Sequence, residues 1–93
     1  MKPSITGIDI TTYTQIAFVV PKNGVIIAQV SSASANDALE IYDETLDCRI
    51  FRADTLPAYS TIAQTIETFK GHSLKCIYTN ANNVSVKFYP YEF

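Results

Sequence analysis

The stretch "TQIAFVVPKNGVIIAQVS", residues 14–31, constrains this chain most. Two runs rich in β-branched and apolar residues flank "PKNG", and an Asn-Gly pair readily supplies the positive φ of a tight turn. The pattern predicts a hairpin, with 14–20 paired to 25–31. Side chains alternate across a strand, so Ile16, Phe18 and Val20 share one face. Ala17 and Val19 on the other face are also apolar. Such strands belong in the middle of a sheet, covered on both sides. Upstream, "SITGIDI" reads as a short strand or extended arm.

Helical spacing follows. Ala35, Ala38, Leu39, Tyr42 and Leu46 fall on one face of a helix over 35–46, with Ser34 as N-cap and Asp37 completing a shortened capping box. "DCRIFRA" is a strand, with Cys48 and Ile50 on one face and Arg49 and Phe51 on the other. "DTLPAYSTIAQTIETFKGH" predicts a second helix. Asp54, Thr55 or Ser60 can cap it, and Pro57 suits its first turn. Tyr59, Ile62, Ala63, Ile66 and Phe69 form its apolar stripe. Gly71 stops it, and Lys70 and His72 sit at the negative end of its dipole. Thr61, Thr65 and Thr68 make an outward ridge that helix propensity does not explain. The last unit, "LKCIYTNANNVSVKFYPYEF", alternates on both sides of "NANN" and predicts a second hairpin. Pro90 should end its pairing or mark an edge.

The resulting order is β-ββ-α-β-α-ββ. It predicts an α+β fold: a single two-layer domain over 1–93, with a mostly antiparallel sheet of about five to six strands and two helices packed on one face. A length of 93 residues fits one domain, and 47 % apolar residues exclude a disordered chain. Only 17 % of the residues are charged, so Thr, Ser and Asn must cover much of the surface.

Composition narrows function by exclusion. Net charge is −2 and the seven Lys and Arg are scattered, which argues against nucleic-acid binding through phosphate neutralisation. One His and no CxxC leave no zinc site, and no acidic glycine-turn loop suits calcium. The glycines are too far apart for a phosphate loop. No cofactor is expected, and a small-molecule ligand is not expected either. Cys48 and Cys76 read as two buried thiols; a bridge would need neighbouring strands and an exported chain. The first residues do not resemble a signal peptide, and "IAFVV" and "VIIA" are too short to span a bilayer, so no membrane contact is expected. The expected location is a cytoplasm, the protein's own cell's or a host's, or a virus particle within it.

Two surfaces stand out. Asp37, Glu40, Glu44 and Asp47 lie along one stripe of the first predicted helix, with no Lys or Arg among them. Like charges at that spacing repel, so the stripe reads as an acidic docking face for a basic partner. The chain also ends "FYPYEF". Val84, Val86 and Phe88 should face the core, leaving Tyr89 and Tyr91 on the other side and Phe93 at the terminus. Apolar, Tyr-rich surface resembles an interface core, so Phe88, Tyr89, Tyr91 and Phe93 form the candidate interface. The functional expectation is a non-enzymatic protein–protein interaction module. It would self-associate as a homo-oligomer or join a larger assembly, as viral or phage accessory components do, either as a structural piece or as an inhibitor of a host factor. The alternative is a small ligand-binding domain or enzyme. Its pocket would lie near His72 and Cys76, with Tyr78, Arg49 and Arg52 as further polar groups. The two arginines, three apart in a strand, should face opposite sides.

Overall fold

The computed structural model describes residues 2–31, 37–56, 61–79 and 82–92, with the side chains of 37, 54–56 and 82–83 outside that description. The fold is all-β, and the α+β expectation is wrong: no helix occurs among the described residues. The strands are β1 (Lys2–Pro3), β2 (Ile8–Asp9), β3 (Phe18–Val19), β4 (Gly24–Ser31), β5 (Asp37–Asp43), β6 (Cys48–Leu56), β7 (Thr61–Thr68), β8 (Ser73–Thr79) and β9 (Asn82–Glu92). One sheet runs β1-β9-β4-β7, with β2 also on β9; the other runs β3-β8-β5-β6. Every pairing is antiparallel.

Both predicted helices contain strands, and the spacing of their apolar residues explains the error. Ile62 and Ile66 are four apart, which suits a helical stripe and one face of a strand equally. Each is preceded by a threonine, Thr61 or Thr65, whose branched Cβ favours a pleated, half-buried surface. β7 therefore pairs with β4 along its whole length, from Gly24↔Thr68 to Ser31↔Thr61. Thr61 and Thr65 do face out, but Thr68 turns inward and is buried. In β5, Leu39, Ile41 and Asp43 point inward and are buried. Ile41 had no place on the helical stripe; on a strand it is core. The expected cap at Ser34 and the first part of the second helix, 57–60, lie outside the described residues.

Neither predicted hairpin forms. β3 pairs with β8, through Phe18↔Leu74, while β4 lies between β7 and β9 in the other sheet. Residues 21–23 thus cross from one layer to the other. Asn23 takes no positive φ; the described residues with one are Asp47 and Gly71. Instead Asn23 accepts the Lys70 N–H on Oδ1 at 2.8 Å and the Tyr91 N–H on its carbonyl at 3.0 Å. Likewise β8, which ends before "NANN", and β9, which begins within it at Asn82, belong to different sheets. A strand that is apolar on one face needs a covering layer as much as a neighbour, and consecutive strands here supply the layer.

The apolar faces of the two sheets meet in one core. Ile26, Ala28, Val30, Val86 and Phe88 come from the first sheet; Phe18, Leu39, Ile41, Phe51, Ala53, Leu74 and Cys76 come from the second. Phe18 and Phe88 touch across the layers, with ring centroids 5.5 Å apart. Residues 10–13 strap one side: Ile10 N–H donates to Val86 O at 2.8 Å, and Cys76 N–H donates to Tyr13 O at 2.9 Å.

β9 is not an edge, and its pairing does not stop at Pro90. The strand continues to Glu92, with β4 on one side and β1 and β2 on the other. Pro90 accepts the Ser4 N–H at 2.7 Å. In an antiparallel strand a residue's nitrogen and carbonyl point to the same side. The missing Pro90 donor therefore falls where the partner strand is interrupted between β1 and β2. Opposite Pro90 lies Gly24, where a Cβ would sit 2.4 Å from Tyr89 O and 2.8 Å from the Phe88 ring. Only a glycine lets the two backbones approach so closely. Gly24→Ala should lower the unfolding free energy by about 1–3 kcal/mol, as overpacking does; urea titration followed by tyrosine fluorescence measures this.

Candidate interaction surface

The outer face of the β3-β8-β5-β6 sheet is charged but internally matched. A register shift between Ile41 and Tyr42 takes the pairing from Phe51 to Arg49, so Ile50 is the extra residue of a bulge. The bulge corrects the opposite-sides reading of Arg49 and Arg52. Both bring Nε to the same oxygen, Glu40 Oε1, at 3.0 and 3.3 Å. Lys75 Nζ lies 3.3 Å from Glu44 Oε2. The Tyr42 hydroxyl donates to the Asp47 carboxylate, and this bond holds the Tyr42 hydroxyl above the usual phenol range.

The acidic docking face therefore takes another form. Glu40 lies on β5, and Glu44 and Asp47 lie in the turn before β6, so these residues share no helical stripe. Each of the three already has a partner on this chain. Asp37 opens β5, and its side chain is outside the described ones.

Asp43 belongs to the same acidic run but lies off the predicted stripe. It is 2 % exposed. Oδ1 accepts the N–H groups of Thr45 and Leu46 at 2.9 and 3.1 Å, and Oδ2 accepts His72 Nδ1–H at 2.8 Å. Two further bonds close the same corner: Glu44 N–H to Ser73 O at 2.8 Å and Ser73 N–H to Thr45 Oγ1 at 3.1 Å. An Asp two residues before a turn N–H is a recognisable cue. It was obscured because the whole run "DALEIYDETLD" also fits a helix. His72 is thus held by a turn carboxylate and not by a helix dipole.

Of the residues named for the alternative pocket, His72 is held at Asp43 while Cys76 is buried in the core. Cys76 points into the core with Sγ 3.5 Å from Ile10 O, and burial pushes its thiol up to about 12. Such a thiol is a poor nucleophile. Tyr78 lies opposite Leu39, near the end of β8, and is partly exposed. An open depression of about 350 Å³ is lined by Thr12, Tyr13, Thr14, Gln15 and Ile16, and includes none of the proposed pocket residues. The expectation of two buried thiols fails for Cys48, which is exposed; both thiols are free.

The tail divides. Phe88 is fully buried. Tyr89 and Tyr91 lie half-buried on the outer face of the first sheet. The Tyr89 ring covers Gly7, where a Cβ would stand 2.6 Å from it, and Tyr91 is opposite Pro3. The N-terminal arm thus shares this surface. Phe93 lies outside the described residues.

The same outer face continues across β4 to β7 with little charge. Ile27, Gln29 and Ser31 of β4 run beside Thr65, Ala63 and Thr61 of β7, with Ser31 Oγ and Thr61 Oγ1 hydrogen-bonded at 3.1 Å. β7 ends the sheet, and no backbone hydrogen bond among the described residues occupies its other side. Its sequence, TIAQTIET, has one charge, Glu67, and no proline or lysine. Natural edge strands are usually short, charged or interrupted, and β7 is none of these. A segment with helical spacing predicts no edge, so the sequence carries no cue to this one.

Comparison with known proteins finds no matching family model, no matching curated protein and no matching solved structure. No helix among the described residues is long and apolar enough to cross a membrane.

Two outcomes follow from these environments. A thiol reagent at mildly alkaline pH should titrate one cysteine, Cys48, in the folded chain and both in denaturant. Asp43→Ala should cost about 2–3 kcal/mol, since a charged acceptor of buried donors is lost. Asp43→Asn, which keeps an oxygen for Thr45 and Leu46, should cost less in the same urea titration.

Proposed function

We propose that this protein is a non-enzymatic protein–protein interaction module whose contact element is the open edge of β7, flanked by the outer face of β7 and β4, on which Glu67 is the single charge. One observation supports the reading above others: an eight-residue edge strand with a single charge. Such an edge offers main-chain donors and acceptors, and an added strand satisfies them at little desolvation cost beyond their own. The charged face of the other sheet suits solvent, because its Glu40, Glu44 and Asp47 groups are already matched. The half-buried Tyr89 and Tyr91 lie at the far side of this face, next to the exposed Lys87. Free thiols fit work in a reducing cytoplasm, alone or within an assembly there.

The test is edge addition by a neutral strand. An extended peptide of alternating threonine and valine, with lysines at its ends, is titrated into isotope-labelled protein. Amide shifts and slowed hydrogen exchange confined to Thr61–Thr68 are expected. Unchanged β7 amides at saturating peptide would remove the basis of this function.

A further inference from the structure

We infer that the strand added to β7 is β7 of a second copy, paired antiparallel about a two-fold axis through Gln64; this rests on the edge-addition reading above. Residues directly opposite in an antiparallel ladder share a face. Ile62, Gln64, Ile66 and Thr68 point to the core side of β7, and Thr61, Ala63, Thr65 and Glu67 point outward. A two-fold pairing must keep that division, so its axis passes through a residue. With the axis at Gln64, Ile62 meets Ile66 of the copy, Ala63 meets Thr65, and Thr61 meets Glu67. Apolar then faces apolar, small faces small, and the single charge faces a hydroxyl. With the axis at Thr65, Ile62 would face Thr68, Ile66 would face Gln64 and Glu67 would face Ala63. With the axis at Ala63, Ile62 would face Gln64. Of these three central registers, the one about Gln64 pairs the most residues of like kind.

The structure leaves those isoleucines suited to the role. Ile62 and Ile66 are half-buried at the rim of the core and packed against it. A neighbouring strand would cover their open sides. Gln64, exposed between them, has both donor and acceptor atoms, so two copies can exchange amide hydrogen bonds across the axis. An isologous contact of this kind closes on itself, giving one continuous sheet, β1-β9-β4-β7 joined to its mirror order, and no open β7 edge.

The experiment combines mass and register. Light scattering across a dilution series should show a dimer that dissociates on dilution. In a Cys48→Ser background, Gln64→Cys should form a disulfide-linked dimer on oxidation, because opposite Cα atoms about 4.5–5.5 Å apart lie in disulfide range. Thr61→Cys should not, being roughly 20 Å from its copy at about 3.4 Å per residue. Gln64→Lys and Gln64→Glu should each weaken the dimer about threefold or more through like charges at the axis, and mixing the two should restore it. A chain that stays monomeric at the concentrations used for NMR overturns the inference. So does a dimer that Gln64→Cys fails to cross-link. If that monomer still binds the Thr-Val peptide along β7, edge addition stands and only the identity of the partner falls; if it binds neither, both fall.

Discussion

Phe88 is the residue on which the rest of this structure depends. It lies between Ile8 and Ile26 within its own sheet and meets Phe18 of the other. Its ring leaves no room for a side chain at residue 24. A fully buried aromatic ring is among the largest single contributions a small core has, about 3–5 kcal/mol when truncated to alanine. Placing it there commits β9 to the centre of the first sheet, brings β4 beside it, and sends the chain across to the second sheet through residues 21–23. The aromatic ending of the chain is therefore first a core element. Tyr89 and Tyr91, on the opposite face of the same strand, are what remains for the surface.

The central position of β9 also explains where the sheet is left open. β1, β2 and the strap at residues 10–13 occupy its far side. β4 occupies the near side, and β7 is the last strand available. The two outer faces then differ in kind. The second sheet matches its charges locally through the bulge that brings Arg49 and Arg52 to Glu40. Exposed pairs of this sort add little to stability, within about 1 kcal/mol. The first sheet has mostly hydroxyls, amides and alkyl groups there, with Lys87 on β9 and Glu67 as the one charge of its edge strand.

Much of the local alternation was legible in the sequence. Val84, Val86 and Phe88 do face the core, and "DCRIFRA" is a strand. What was illegible were choices that local pattern does not make. Ile62 and Ile66 satisfy two periods at once, and the threonine that precedes each of them favours the strand. "PKNG" and "NANN" look like hairpin turns, yet the strands beside them separate into different layers, a decision made by long-range pairing. The bulge at Ile50 reversed the expected sides of Arg49 and Arg52. The Asp43–His72 pair joins residues 29 apart in sequence, and no spacing announces it. An edge position is a property of topology, set by strand order and not by local pattern.

The fold and the binding edge both depend on Thr61–Thr68 being a strand paired with Gly24–Ser31. The most direct measurement is the backbone NMR of these two segments in the intact chain. Strand-type Cα and Cβ shifts through 61–68, with cross-strand proton contacts along the ladder between Ile26↔Ile66 and Val30↔Ile62, are predicted. Helical shifts through 61–68, or contacts joining 25–31 to 14–20, would contradict the fold and the binding edge together.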